Sequence, residues 1–587
     1  MRIVCFSPND AVWLWTLPQA QFLESVQQRG DEIIYIYCDR VYSSFCMSMA
    51  SHGVSFSDSP AAKEAICDIC SQQSKMVRTQ LNFASRSLRS FVKVQDIDNA
   101  DRLSRERPVE ELYDYCEYDL PIGRLALYET IIQTKSISRD LSPEARSFYR
   151  SNFRNTLISV RASKAILDEL KPDVGVSYHT AYAYNRAFQR VLEARNVPVW
   201  FLNASMNVAE LSTHLIAAKS DPEQMFRKML GDWQRFEEVP CADEDIASSA
   251  DHLLALMSGG GFGYSNSIRR GNVGVLERLG YLPGRKVVAA LLSSYDELLA
   301  AELAGFGWTT KNEVFSSQIE WVKWLFDFAR SRPDVHLIVR VHPREFAING
   351  KGGRSEHSYR LDSIFSERPD NVSINLPSDG IAVYDLLMEV DAALVAWTST
   401  GMEAGMLGIP VVTYAGDVLL FPRKLTYDAK TRQEYAKFVG EAIDAGWSLE
   451  RSRAFFRWAV LRLIRTRIDM TNGVKTATRQ NAISHFVRRA FNRILLAIAF
   501  SSREQLALWR RPRRLRDATR IYSLIDQNLS AFYDDQSAIV DSKLDEETDA
   551  LTRQLRRIAE FVAKRRGVAP AKLNAMIAQY PGASSQR

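Results

Sequence analysis

The stretch Val390 to Tyr414, VDAALVAWTSTGMEAGMLGIPVVTY, decides the fold. Ala392 to Trp397 is an apolar run of strand length, Gly401 to Leu407 carries a short helical pattern, and Ile409 to Thr413 is again strand-like. Strand, helix and strand in immediate succession predict a parallel crossover, whose sheet needs helices on both faces. The alternation continues upstream. A strand at Val287 to Leu292 ends in Ser293 and Ser294. A helix comes next at Val314 to Ala329, with Trp321, Trp324, Leu325 and Phe328 at three- and four-residue spacing on one face. Strand Val335 to Val341 runs straight into His342 and Pro343, and strand Val372 to Leu376 precedes a helix at Ile381 to Met388.

The beginning of the chain repeats the plan. Ile3 to Phe6 and Ile33 to Tyr37 read as strands around a helix at Val12 to Gln28 that Gly30 ends. Residues 51–150 are polar and irregular in period, and predict a mostly helical insertion. A helix at Leu157 to Leu170, strand Val174 to Tyr178, a helix around Asn185 to Ala194 and strand Val197 to Leu202 resume the alternation. The glycine-rich Ser258 to Gly263 suits an interdomain hinge. Beyond about Ser448 the strand signal stops and Arg-rich helical patterns run on. The expected fold class is therefore α/β: two Rossmann-like domains facing a cleft, residues 1–250 and 251–448, with a basic helical region at 449–587.

At 587 residues the chain exceeds what one hydrophobic core serves, and 46% hydrophobic with 25% charged residues excludes a disordered chain. A net charge of +5 is too small for polyanion binding to be the activity of the whole protein. Its distribution is uneven: Arg451 to Arg520 holds eighteen Lys and Arg against three acids. That tract contains FFRWAVLRLIRTR and LWRRPRRLR. Such basic amphipathic patterns suit peripheral contact with the anionic inner face of the cell membrane, or equally a solvated or packed helical surface. The apolar run Ile494 to Phe500 is far short of the ~18 residues that cross a bilayer. No nucleic-acid-binding motif accompanies the charge, so no nucleic-acid partner is expected.

Seven cysteines, an odd and sparse set, do not read as a disulfide framework, and Met1 leads into a strand-like RIVCFSP, not a cleavable signal. A cytoplasmic location is the expectation. Cys38, Cys46, Cys67 and Cys70 share one region, and Cys67 with Cys70 has the spacing of half a metal site; buried structural thiols explain the same residues. No metal ligand is assigned among them.

Three polar clusters fall at strand ends, where a parallel sheet collects its ligands. Thr398, Ser399 and Thr400, then Gly401, stand at a helix start suited to a phosphate, with Glu403 one turn inward for ribose hydroxyls. An ordinary N-cap accounts for the same residues. Pro343 holds His342 extended, so that Arg340, His342 and Arg344 meet the sheet edge, where cations balance a phosphate; solvated arginines at a strand end are the alternative. Ser293 and Ser294 form the third cluster. For a catalytic base, Asp10 comes after the first strand and His179 after VGVSY; Asp10 also fits a helix cap, and His179 a structural histidine. Asp296 and Glu297 are alternatives from the second domain.

RVHPRE together with VDAALVAWTSTGMEAGMLGIPVVTY resembles the C-terminal half of bacterial capsule and surface-polysaccharide glycosyltransferases, including the capsular Kdo transferases and, more distantly, the polysialyltransferases. The resemblance covers Arg285 to Asp417. It implies a GT-B fold, an N-terminal acceptor domain, a nucleotide-sugar donor held by the C-terminal domain, and no required cofactor or metal. His342 and Pro343 then match the motif at the nucleotide base and phosphate, Ser399 and Thr400 the hydroxyl pair at the donor phosphate, and Glu403 the ribose-binding acid. The paired acids before a glycine that mark the sialyl enzymes are missing, which argues against a sialic acid donor. The resemblance thus implies an inverting glycosyltransferase that takes a CMP-Kdo-like donor to a surface polysaccharide or lipid-linked glycan. The same fold hosts sugar-nucleotide epimerases, polyol-phosphate transferases and non-catalytic assembly scaffolds.

Overall fold

The computed structural model describes residues 1–260, 274–346, 353–418, 420–471, 502–534 and 542–580. Residues 261–263 of the expected hinge and the run Ile494 to Phe500 lie outside them.

The strands of the first half are β1 (Arg2–Ser7), β2 (Glu32–Tyr37), β3 (Ala84–Ser87), β4 (Val174–Tyr178), β5 (Val199–Ala204) and β6 (His214–Lys219). Those of the second are β7 (Lys286–Leu291), β8 (Val335–Arg340), β9 (Val372–Asn375), β10 (Ala392–Val395), β11 (Val411–Thr413) and β12 (Tyr427–Asp428), and β13 (Arg467–Asp469) comes last. One sheet has the order β13-β6-β5-β4-β1-β2-β3 and the other β12-β11-β10-β7-β8-β9. The second is parallel throughout. The first is parallel from β5 to β3, with Ile3 opposite both Ile33 and Val174, and ends in antiparallel β6 and β13.

In both sheets the first strand lies in the middle. The chain winds outward to one edge, then returns past that strand to build the other side. The crevices at the two points of reversal, between β1 and β4 and between β7 and β10, are where a doubly wound sheet takes its ligand. Val287 to Leu291 and all of β8 are buried, as strands covered on both faces must be.

Local chemistry sets several boundaries that hydrophobic period alone misplaces. The long crossover helix spans Pro143–Leu170, because Ser142 accepts from the Ala145 N–H and Pro143 fits the first turn. The last residues of the expected insertion thus belong to this helix. The rest of the insertion is mostly helical, but it also contributes β3 to the sheet edge. The tryptophan-bearing helix begins at Gln318, where Ser317 caps the Glu320 N–H at 3.2 Å. Trp321, Leu325 and Phe328 are buried on its inner face, and Trp324 stacks on Phe328.

Among the described residues one strand lies beyond Ser448, where the pattern predicts none. The helix Leu449–Ala459 passes into one π-turn, Val460–Ile464, and the chain then crosses to add β13 to the first sheet. Three residues are too few to show a period of two. The tail packs on both halves. Arg457 makes a buried two-pronged pair with Glu547 (2.9 and 2.7 Å), Arg511 pairs with Glu24 at 2.6 Å, and the Tyr522 hydroxyl donates to the Ser25 carbonyl.

Candidate functional site

At the second reversal point, the ends of β7 and β10 are pinned together. The Trp397 N–H donates to Ser293 Oγ at 3.3 Å, and the Trp397 indole donates to the Ser294 carbonyl at 3.2 Å. Gln318 closes the pin, accepting from the Ser293 N–H and donating to its carbonyl. Both serines are buried, so they shape the rim without meeting solvent. Beside them lies a small pocket lined by Tyr295, Phe315, Trp397 and Tyr414 with Asn312 and Lys311. Aromatic walls with a few polar groups are the usual makeup of a small-molecule pocket.

The RVHPRE segment lies on the other side of β7, at the end of β8. His342 is extended before Pro343, as expected, and caps the short turn Pro343–Glu345. Burial lowers the His342 pKa to about 4, so the ring is neutral. Arg344 is held by Asp296 (Nη2–Oδ2 2.8 Å, Nε–Oδ2 3.0 Å), with Glu297 at 3.7 Å. Arg340 is buried and donates to Asn375. The expected free cationic pair is thus not what the rim presents: His342 is uncharged, and Arg344 is neutralised by a buried carboxylate.

The Thr398–Glu403 cluster stands at the end of β10, so the structure brings both segments to one rim on either side of β7. Its donors, expected to be unpaired, are largely used within the turn. The Thr400 N–H meets Thr398 Oγ1 at 3.3 Å, and the Met402 N–H meets the Ser399 carbonyl at 2.9 Å. Ser399 donates to Glu403 Oε1 and Tyr384 to Glu403 Oε2, so both carboxylate oxygens are engaged, and burial raises the Glu403 pKa. Gly401 answers to packing. A Cβ there would sit 2.8 Å from the Phe421 ring.

In the first domain, Asp10 lies beyond β1 and His179 beyond β4, on the two sides of that sheet's reversal point. Asp10 is 1% exposed; Ser7 and Tyr35 both donate to its Oδ1 at 2.5 Å, and Gln19 supports Ser7 at 2.6 Å. Its Oδ2 is buried with no partner among the described residues. Burial raises its pKa to about 6, against the hydrogen bonds that hold it down. A small cavity opens beside it, with Cys38, Cys46, Cys67 and Cys70 on its wall. Burial pushes Cys38 up to about 12 and Cys46 to about 11, which keeps these thiols protonated. Among the described residues no group of three or more His, Cys, Asp or Glu is arranged to hold a metal ion.

His179 takes a left-handed backbone (φ 57°), and its ring stacks on Tyr182 (4.4 Å) and against Trp15 (6.0 Å). Burial lowers its pKa to about 4, not the near-neutral value expected of a base. Its ring is part of an aromatic stack. Glu129, which no local pattern singles out, is buried against the start of the helix Ala183–Glu193. Its Oε1 accepts from the Ala183 N–H at 2.6 Å, and burial pushes its pKa up to about 8.

The two domains meet directly. Arg344 donates to the Ile132 carbonyl at 2.5 Å, Lys135 to the Phe346 and Gly353 carbonyls at 2.7 and 3.0 Å, and Arg124 to the Leu303 carbonyl at 3.1 Å. These donors come from the insertion or the β8 rim, and only topology, not local sequence, could have paired them.

Two doubly wound sheets whose reversal points lie at the carboxyl rims define a Rossmann-like α/β protein of the two-domain GT-B architecture. No family model matches the chain, and no curated protein matches it. Among solved structures it is similar to the Thermosulfurimonas dismutans KpsC beta Kdo 2,4 transferase, at 12% identity over 48% of this chain and 78% of that one, TM-score 0.30. It is also similar to the UDP-GlcNAc 2-epimerase of Neisseria meningitidis bound to UDP-GlcNAc, at 10% identity over 78% and 96%, TM-score 0.26. A third is the glycosyltransferase SnogD of Streptomyces nogalater, at 12% identity over 79% and 96%, TM-score 0.25. At such scores the fold rests on the strand order, and the likenesses add no weight to any activity.

Proposed function

We propose that the protein is a glycosyltransferase that moves a sugar from a nucleotide-sugar donor, CMP-Kdo-like in the first instance, to a bacterial surface polysaccharide or lipid-linked glycan, with inversion and no required cofactor. One observation carries the reading. An aromatic cavity at the reversal point of the second sheet belongs to a domain in direct contact with another, whose own reversal point carries a buried carboxylate with one unpartnered oxygen. In this reading the base and ribose lie over the mouth of that pocket, against the half-buried Trp397 and Tyr295. Asp10 Oδ2 takes the proton from an acceptor hydroxyl as its oxygen attacks the anomeric carbon, and the bond from that carbon to the phosphate oxygen breaks. A carboxyl of pKa about 6 is ionised at neutral pH yet basic enough for this work.

The seam closed by Arg344 and Lys135 also supports a second reading, a sugar-nucleotide epimerase, in which only the nucleotide sugar enters. Incubation with a panel of nucleotide sugars and acceptor glycans separates the two. A transferase releases nucleotide and extends the acceptor; an epimerase isomerises the donor. Neither product with any donor would leave an assembly scaffold and end the catalytic reading.

A further inference from the structure

The aromatic pocket beside Ser293 and Ser294 has walls for a ring, and an anion there needs a positive charge as well. The arginines of the β8 rim are already engaged, Arg344 by Asp296 and Arg340 by Asn375. So are the cations around the pocket. Arg423 holds Asp417, a lining residue, at 2.6 Å and Asp428 at 2.7 Å; Lys430 holds Asp428 at 2.8 Å; Arg432 holds Glu320 and the Val314 carbonyl. Lys311 lines the pocket itself and is exposed at its mouth. Among the described residues its ammonium has no ion pair and no hydrogen bond.

Lys311 stands in the loop between the helices Tyr295–Leu303 and Gln318–Ser331. The backbone on either side of it is fixed. The Thr310 N–H donates to Glu302 Oε2 at 2.5 Å, the Lys311 N–H to Thr309 Oγ1 at 3.1 Å, and Asn312 Nδ2 to the Tyr414 carbonyl at 2.9 Å. A cation on a held backbone, left out of the local ion pairs, meets an incoming anion with little further ordering of the chain. The root of the loop touches the first domain. Gly305 and Gly307 turn the chain with φ of 77° and 76°, which places the Phe306 ring under the Arg186 guanidinium at 3.8 Å and the Gly307 carbonyl 2.8 Å from Arg227. The loop that carries Lys311 is thus anchored by the first domain while it lines the pocket of the second.

We propose that Lys311 is the anion-binding residue of this pocket, whose ligand is an aromatic phosphate: a planar ring against Trp397 and Tyr295, with its phosphate at the Lys311 ammonium. That the ligand is the nucleotide part of a sugar donor rests on the function proposed above; the pairing of ring and anion does not. The assignment moves the phosphate from the Thr398–Glu403 turn, whose donors serve the turn itself, to the loop 305–317.

Titration calorimetry on the full-length chain with CMP, UDP, cytidine, uridine and phenyl phosphate tests it. In the wild type at least one nucleotide binds more tightly than its nucleoside. Lys311→Met weakens that nucleotide roughly 5- to 50-fold, the contribution of a charge-assisted contact at a partly open site, and leaves the nucleoside unchanged. Lys311→Gln, a second neutral variant, repeats the loss, and Lys311→Arg keeps most of the affinity because it keeps the charge. The gap between wild type and Lys311→Met narrows as salt rises from about 0.05 to about 0.5 M, since the ammonium is exposed. Phenyl phosphate bound in a Lys311-dependent way, with no nucleotide bound, would uphold this pocket and sink the nucleotide-sugar reading. Nucleotide affinity unchanged in either folded neutral variant would overturn the proposal and leave that reading standing. A wild type that binds none of these phosphates would overturn it as well.

Discussion

Replacing Asp10 by Asn should stabilise the protein and stop its chemistry at the same time. The carboxyl is 1% exposed and its pKa stands at about 6, above the usual unfolded value of about 3.9. A raised carboxylate pKa means that the folded state holds its proton more tightly than the unfolded chain does. That contribution is fully present below about pH 4 and is lost as pH rises through 6. Two pKa units correspond to about 3 kcal/mol, so ionised Asp10 costs the fold about that much at about pH 7.5. Asparagine removes the charge and keeps an oxygen for the Ser7 and Tyr35 hydroxyls. Denaturant unfolding of both proteins should therefore show the variant more stable by about 1 to 3 kcal/mol at about pH 7.5, with the difference shrinking towards about pH 4.5. Turnover should fall by roughly 100- to 10,000-fold, the usual contribution of a general base, and wild-type kcat/KM should rise with pH to a plateau above about 6. A variant that turns over normally would remove Asp10 from the mechanism, and one less stable than wild type at neutral pH would refute the desolvation argument.

Arg344→Met leaves Asp296 buried without its partner and should destabilise the second domain by about 3 to 5 kcal/mol, while adding Asp296→Asn should recover most of that loss in the same unfolding assay. Gly401→Ala drives a methyl into the Phe421 ring and should cost about 1 to 3 kcal/mol, with Phe421→Leu restoring stability; a phosphate-binding role alone would predict no such rescue. Trp509, 62% exposed at the end of the helix Arg503–Arg510 and close before Arg511, Arg513 and Arg514, should carry the protein up with anionic liposomes at low salt. Arg513→Glu with Arg514→Glu should abolish that flotation, and an intact protein that stays at the bottom of the gradient would leave this face to solvent.

Much of the fold was written in local pattern. Continuous apolar runs such as VHLIVR can satisfy a parallel sheet only when both faces are covered, and the position of the first strand within each sheet comes from the crossovers. Local pattern lacked the long-range pairing. β3 has the sequence ASRS, with no residue that favours a strand, and forms because β2 offers a free edge. β13 is three residues long and is fixed by pairing with β6, a partner far away in sequence. The Arg-rich tail left membrane contact and a solvated or packed surface equally open, and the packing of Arg457 is decided by the carboxylate of Glu547, which no window of sequence brings near it.

The site shows the same division, carried one step further. That RVHPRE and TSTGME would reach one rim was legible from the strands before them, because a strand's end fixes where the next residues stand. Which of those residues keep their donors and charge for a ligand was not legible, since neighbours from other elements decide it. Asp296 neutralises Arg344, burial discharges His342, Tyr384 and Ser399 occupy Glu403, and Phe421 explains Gly401. A motif therefore locates a rim more securely than it assigns roles along it. By the same reasoning, polar groups whose contacts a ligand could improve upon are the better guide to chemistry. Asp10 has an unpartnered oxygen beside a cavity. It lies in neither motif, and the Ser7 and Tyr35 hydroxyls that hold it come from β1 and β2, which only the sheet brings together.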